Sequence, residues 1–224
     1  TKLFIFLVAV ALLSPPVFML YRRIQNYCVA KEIGAELEEW RKTLVIVPDE
    51  ENGAIAILEG TDEFKDYWDY WGNEVEDFDP GNSSYIKKAR KYIEGKSAAF
   101  EKIYKGLGYK RFQYIKPDID FFSEDIPFMN GPYCAGGALV LKGRLIELDG
   151  KDDEALEEYL NTLRLSVTMK KEYYLYSRMI EIGVAGTALE VIYEKLDNAS
   201  FPKEQLEKTL NELTGLYYRP PRDV

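Results

Sequence analysis

Histidine is missing from this chain of 224 residues. Its absence excludes the Ser-His-Asp and Cys-His arrangements that activate a nucleophile, and it excludes histidine as a general base. It also removes one of the commonest protein ligands of zinc. No other catalytic constellation stands out from the sequence, so we expect no enzymatic activity and no cofactor.

Cysteine is scarce, with only Cys28 and Cys134. Two thiols are too few for a zinc-thiolate cluster or for a disulfide framework. We predict that each is a small buried apolar group. A Cys28–Cys134 bridge would need an oxidising compartment, and the sequence leaves that alternative open.

Basic residues are outnumbered, with 29 Lys and Arg against 38 Asp and Glu, which gives a net charge of −9. Such a surface repels phosphate backbones, so we expect no nucleic-acid partner. Two acidic clusters are conspicuous, and calcium favours several carboxylate oxygens. Neither cluster has the spacing of a calcium-binding loop, so we predict no metal site. The first cluster is Asp118, Asp120, Glu124 and Asp125, and the second is Asp149, Asp152, Asp153 and Glu154.

The opening of the chain is its longest uncharged run, the nineteen residues Leu3–Tyr21. As a helix this run would be about 28 Å long, close to the roughly 30 Å hydrocarbon core of a bilayer. Arg22 and Arg23 follow it as an interfacial anchor. We therefore predict a single-pass transmembrane segment over residues 1–23 that contacts the membrane through residues 3–21.

A cleaved signal peptide is the alternative interpretation of this opening, since Ala9 and Ala11 form a small-residue cleavage pattern. After the membrane segment, residues 24–47 predict an amphipathic stalk helix and a linker. Residues 48–224 then predict a helical soluble domain. The fold class is mainly α, with a transmembrane helix followed by a bundle that contains a helical hairpin.

Aromatic residues make up 14% of the chain. In the segment 64–71, the spacing of Phe64, Tyr67, Trp68 and Trp71 predicts a buried helical stripe that leaves Tyr70 exposed. Exposed tyrosines suit protein contacts, because one end of the ring is apolar and the other polar. The tyrosines that we predict as partner-binding residues are Tyr70, Tyr173, Tyr174 and Tyr176.

The clearest hairpin pattern covers residues 133–170, with a turn at Asp149-Gly150-Lys151. Gly143, Ala155 and Tyr159 stand at the spacing of two small positions and one aromatic core position. In this respect the hairpin resembles a tetratricopeptide repeat, which implies a helical bundle that can offer a protein-binding surface. Lys142 departs from the repeat, which has an apolar residue there, and no second copy follows.

The whole chain also resembles a group of uncharacterised bacterial envelope proteins found in planctomycete-like genomes. The resemblance rests on the hydrophobic opening, the Pro48-Asp49-Glu50-Glu51-Asn52 start and the hairpin. It implies a membrane-anchored helical domain that faces out of the cytoplasm, and it transfers no catalytic residues. A count of the basic residues gives the alternative orientation, because Arg22 and Arg23 outweigh Lys2 and would leave the domain in the cytoplasm.

These features together predict a scaffold or protein-interaction domain of the cell envelope, with a protein partner or self-association. A pilin-like filament subunit is an alternative, although Ile5 stands where such subunits usually carry a glutamate. A carbohydrate or peptide binder of the envelope is another, if the aromatics line a groove.

Overall fold

The computed structural model describes residues 46–71, 78–114, 130–169 and 175–197, together with residues 204, 207, 209, 211, 214 and 215. Contacts divide the chain into the units Thr1–Ile46 and Val47–Val224. The predicted membrane segment and nearly all of the predicted stalk lie outside the described residues. Among the helices that are described, none combines the length and the apolar character needed to cross a bilayer.

The protein is mainly α-helical, as the sequence predicts. Single 3₁₀ turns at Asp49–Glu51 and Asp62–Phe64 precede and follow the first α-helix. The α-helices whose bounds are described are, in chain order, α1 (Gly53–Thr61), α2 (Tyr67–Trp71), α3 (Ser83–Gly95), α4 (Ser97–Leu107), α5 (Asn130–Leu148), α6 (Asp152–Met169) and α7 (Leu175–Asp197). The residues described between 204 and 215 are helical as well. The described residues contain no strand, although Asn52 and Arg111 form an isolated bridge.

Asn52 fixes the start of α1. Its side-chain oxygen accepts hydrogen bonds from the backbone N–H groups of Ala54 at 3.1 Å and Gln113 at 2.9 Å. Its amide nitrogen donates to the carbonyl oxygen of Gln113 at 2.8 Å. The buried Asn52 is therefore both the N-cap of α1 and a clamp on the segment that follows α4.

Helices α1 and α4 run antiparallel at close range. A Cβ atom built on Gly53 would lie 2.5 Å from the carbonyl oxygen of Gly106. At the other end of the contact, a Cβ on Gly60 would lie 2.7 Å from the carbonyl oxygen of Ala99. Small residues at both ends thus set the separation of the two helices, because larger side chains would hold the backbones apart.

The predicted hairpin turn lies between α5 and α6. Gly150 has a φ of 74°, a left-handed conformation that glycine adopts without steric cost. Its N–H donates to the carbonyl of Glu147 at 2.8 Å, and the Lys151 N–H donates to the carbonyl of Ile146 at 3.3 Å. These two bonds form a Schellman motif, which ends α5 and reverses the chain.

Helix α5 is the centre of the bundle and is packed on several sides. A Cβ on Gly136 would lie 2.9 Å from a methyl of Val184 in α7, and one on Gly137 would lie 2.8 Å from the ring of Tyr67 in α2. Helix α6 packs against a third side. A helix buried in this way shows no single apolar stripe in its sequence.

The core includes the predicted aromatic stripe. Phe64, Tyr67 and Trp71 are at most 2% exposed, which confirms the predicted burial for these three residues. The side chain of Trp68 lies outside the description. Cys134 is also buried, as predicted, and Cys28 belongs to the part of the chain that is not described.

Candidate functional site

The hairpin residues singled out from the sequence meet in the contact between α5 and α6. A Cβ on Gly143 would lie 2.9 Å from Cδ1 of the Tyr159 ring, so only glycine fits there. Ala155 and Tyr159 are each 1% exposed, and the Tyr159 hydroxyl donates to Glu147 at 3.0 Å. Burial, followed by the charge of Glu147, raises the pKa of Tyr159. The likeness of this hairpin to a tetratricopeptide repeat stays a prediction.

Lys142, which departs from the repeat pattern, has a structural partner. Its ammonium group donates to a carboxylate oxygen of Glu158 at 2.8 Å and to the Tyr104 hydroxyl at 2.7 Å. The Tyr104 hydroxyl in turn donates to the other Glu158 oxygen at 2.6 Å. These three side chains, which we call the Lys142 network, connect α4, α5 and α6.

The Lys142 network stabilises the contact between α4, α5 and α6. Burial raises the pKa of Tyr104, and the neighbouring Glu158 carboxylate raises it further, so the phenol stays protonated near neutral pH. Glu158 is 8% exposed and accepts from both partners. A buried carboxylate held in this way needs its cation, which explains why position 142 is not apolar.

The predicted partner-binding tyrosines are only partly described. Tyr70 is 38% exposed, and the Lys88 ammonium lies 4.9 Å from the centre of its ring. The ring also contacts Tyr92, with 4.8 Å between centroids, so Tyr70 is the outer layer of the aromatic core. Tyr173 and Tyr174 lie outside the described residues, and only the backbone of Tyr176 is described. Their partner-binding role stays a prediction.

The burial of the other aromatics bears on the carbohydrate-binding alternative. Phe64, Tyr67 and Trp71 are enclosed together with Tyr85 and Tyr92. Rings that pack on one another in a core cannot stack on a sugar in a groove. These five rings therefore offer no platform for a sugar.

The acidic hairpin turn is occupied by internal ion pairs. Arg90 binds Asp149 with two hydrogen bonds of 2.7 and 3.0 Å, and these bonds hold the pKa of Asp149 below its usual value. Lys151 pairs with Glu154 at 3.2 Å. Within the described residues, no three His, Cys, Asp or Glu side chains are placed to hold a metal ion. The other acidic cluster, residues 118–125, lies outside them.

A groove of about 760 Å³ lies beside α3. Ile86 and Leu148 form its apolar part, and the exposed Lys87 and Lys91 border it. Its remaining cation, Arg90, is already bound to Asp149. A groove with no enclosed polar group to orient a ligand has few of the features of a small-molecule site.

Sequence reasoning missed the most exposed apolar surface, which lies on α7. Met179 is 61% exposed, Ile182 70%, Leu189 41% and Tyr193 71%. Only three other large apolar side chains in the described residues are exposed. Together with the exposed Gly186, these four residues form one row, which we call the outer stripe. The row is about 21 Å long at 1.5 Å per residue.

The opposite face of α7 holds the helix in the bundle. Val184 and Ala188 are completely buried, and Val191 and Ile192 are at most 3% exposed. These residues pack on α5 and α6. The outer stripe is therefore presented on a firmly packed helix, and exposed contiguous apolar patches of this kind mark interaction sites.

Comparison of the chain with protein-family models, with curated proteins and with solved structures finds no match.

Proposed function

We propose that this protein is a membrane-anchored helical interaction module of the cell envelope, and that the outer stripe of α7 binds a helix. The exposure of four large apolar side chains in one row carries the proposal. Residues 3–21 supply the single-pass anchor, and the helical domain faces out of the cytoplasm, as the resemblance to bacterial envelope proteins implies.

The spacing of the outer stripe points to a helical partner. Its members follow one another at intervals of three, four, three and four residues, from Met179 to Tyr193. This is the spacing of the a and d positions at which two helices interlock in a coiled coil. A narrow convex ridge also fits a helix better than a small molecule, which requires a concave site.

The order of the helices supports the same function. In helical-repeat proteins each hairpin packs on the next one, so a helix keeps an apolar outer face unless another element covers it. The α5–α6 hairpin followed by α7 has this order. An uncovered outer face is thus what a tetratricopeptide-like scaffold would offer to a partner.

Site-specific photocrosslinking in intact membranes tests the docking function. A photoreactive phenylalanine derivative replaces Ile182 in the full chain, and Leu148 is the matched control. Leu148 is also an exposed apolar helix residue, at 42%, but it lies outside the outer stripe. We expect a discrete protein adduct from position 182 that is absent from position 148. The adduct should disappear when Leu189→Glu is added.

The proposal fails if a folded, membrane-inserted protein gives no protein adduct from any of the four large apolar positions of the outer stripe. The anchor is tested independently by alkaline extraction of membranes. We expect the full chain to remain in the pellet, and a variant that lacks residues 3–21 to be released. A full chain that is soluble without detergent would contradict the membrane part of the proposal.

A further inference from the structure

The geometry of the outer stripe points to its partner: we infer that it is α7 of a second copy of this chain. The two helices run antiparallel about a two-fold axis that passes close to Gly186. This inference rests on the proposed docking function and names the partner of the same surface.

The first observation is the symmetry of the outer stripe. Met179 and Tyr193 each lie seven residues from Gly186. Ile182 lies four residues before it, and Leu189 lies three residues after it. In an antiparallel pair centred on Gly186, Met179 of one copy is therefore level with Tyr193 of the other, and Ile182 lies within one residue of the level of Leu189. A two-fold interface uses one patch that is complementary to itself, and the outer stripe has this property.

The second observation is the placement of glycine. A Cβ on Gly183 would lie 2.8 Å from the ring of Tyr133, so this glycine is needed inside the fold. No described atom lies within 4 Å of a Cβ built on Gly186, which faces outward in the middle of the outer stripe. A glycine inside a helix is destabilising unless something approaches it closely. At the centre of a helix pair, Gly186 lets the two backbones approach.

The third observation is the charge beside the outer stripe. Glu190 is exposed on the same side of α7. In the antiparallel pair the two Glu190 carboxylates lie about 12 Å apart along the axis, beyond the screening length of roughly 10 Å at 0.1 M salt. The charge of Glu190 is therefore compatible with the antiparallel pair.

The size of the outer stripe sets the strength of the association. One helix face is smaller than the roughly 800 Å² per partner that stable complexes bury, and the net charge of −9 on each copy opposes contact. We expect weak self-association in dilute detergent solution. Confinement of two copies to one membrane raises their effective concentration and favours the pair.

Cysteine crosslinking of the full chain in membranes tests the inference. Gly186→Cys, Met179→Cys and Tyr193→Cys are each made with Cys28→Ser, and Leu148→Cys is the control for random collisions. With a mild oxidant, Gly186→Cys should form disulfide-linked dimers at least about tenfold faster than Leu148→Cys. Met179→Cys chains should crosslink to Tyr193→Cys chains but not to each other. Two Met179 positions lie about 21 Å apart in the antiparallel pair, far beyond the reach of a disulfide.

Three outcomes overturn the inference. Dimers of Met179→Cys alone that form as fast as those of Gly186→Cys would show a parallel pair. In the second outcome, Gly186→Cys crosslinks no faster than Leu148→Cys while position 182 captures a different protein. That result would support the docking function and exclude self-association. A crosslink from position 182 to the C-terminal residues of the same chain would contradict both the docking function and the self-association. An unchanged thermal unfolding midpoint for Gly186→Cys shows that the variant is folded.

Discussion

Gly60→Ala is the substitution whose effect follows most directly from the packing of α1 on α4. The added Cβ would lie 2.7 Å from the carbonyl oxygen of Ala99, 2.8 Å from Cγ1 of Ile103 and 3.1 Å from the Ile103 nitrogen. Two of these three atoms are backbone atoms, so rotation of a side chain cannot relieve the overlap. The two helices must move apart.

The magnitude follows from two opposing effects. Overpacking a well-filled contact costs about 1–3 kcal/mol. Alanine recovers roughly 0.5–1 kcal/mol, because it has a higher helix propensity than glycine. We therefore expect Gly60→Ala to lower the free energy of unfolding by about 1–2 kcal/mol.

The matched control is Gly95→Ala at the end of α3. No described atom lies within 4 Å of a Cβ at Gly95, so only the propensity effect remains there. We expect this variant to be slightly more stable than the wild type. The assay is urea unfolding of the detergent-solubilised full chain, followed by far-UV circular dichroism. If the two variants shift the urea midpoint in the same direction by the same amount, the description of a close contact between α1 and α4 is wrong.

Three further predictions concern the polar contacts. Lys142→Met leaves Glu158 without its cation. We expect it to lower the free energy of unfolding by about 2–4 kcal/mol, less than the loss of one partner from a fully buried pair, because the lysine side chain is 24% exposed. Adding Glu158→Gln should recover much of this loss in the same urea assay. Asn52→Ala should cost about 2–3 kcal/mol, since it removes the α1 cap and both bonds to Gln113. Asn52→Asp should not recover the full loss, because its second carboxylate oxygen replaces the amide that donates to the Gln113 carbonyl. Arg90 lowers the pKa of Asp149, so this pair stabilises the fold above the unfolded-state pKa of about 3.9. Its contribution should vanish as the pH falls through the lower folded-state pKa, and the thermal midpoints of wild type and Asp149→Asn should then converge.

The helical hairpin was the part of the fold that the sequence predicted best. Its turn contains Gly150, and the helices begin and end close to the predicted residues. Local chemistry determines such boundaries, since a glycine with positive φ and a Schellman motif can be inferred from neighbouring residues. The sequence suggests that Pro48 and the acids after it open a helix, and this start was predicted less well. Asp49–Glu51 form a separate 3₁₀ turn, and Asn52 rather than the acids caps α1.

The break between α3 and α4 was not predicted. The sequence suggests one helix from Ser84 to about Leu107, whereas the structure ends α3 at Gly95 and begins α4 at Ser97. The intervening Lys96 donates to the carbonyl of Glu63 and to the carboxylate of Asp66. These partners are about thirty residues away, so no local pattern shows them.

The outer stripe escaped prediction for a related reason. Apolar residues occupy both sides of α7, with Val184 and Ala188 on one side and Ile182 and Leu189 on the other. Both rows have helical spacing, and the sequence does not say which row faces the bundle. Only the packing of α5 and α6 distinguishes them, since it covers one row and leaves the other exposed.

Thiol labelling in native membranes tests the central claim, that the outer stripe is a docking face, most directly. Ile182→Cys and the control Leu148→Cys are each made with Cys28→Ser and are treated with a membrane-permeant maleimide. Ile182 is the more exposed of the two in the isolated chain, at 70% against 42%. We expect Ile182→Cys to react more slowly than the control in membranes, and faster than the control after dilution in detergent. Labelling of Ile182→Cys that is faster than the control in both states would show that nothing docks on the outer stripe.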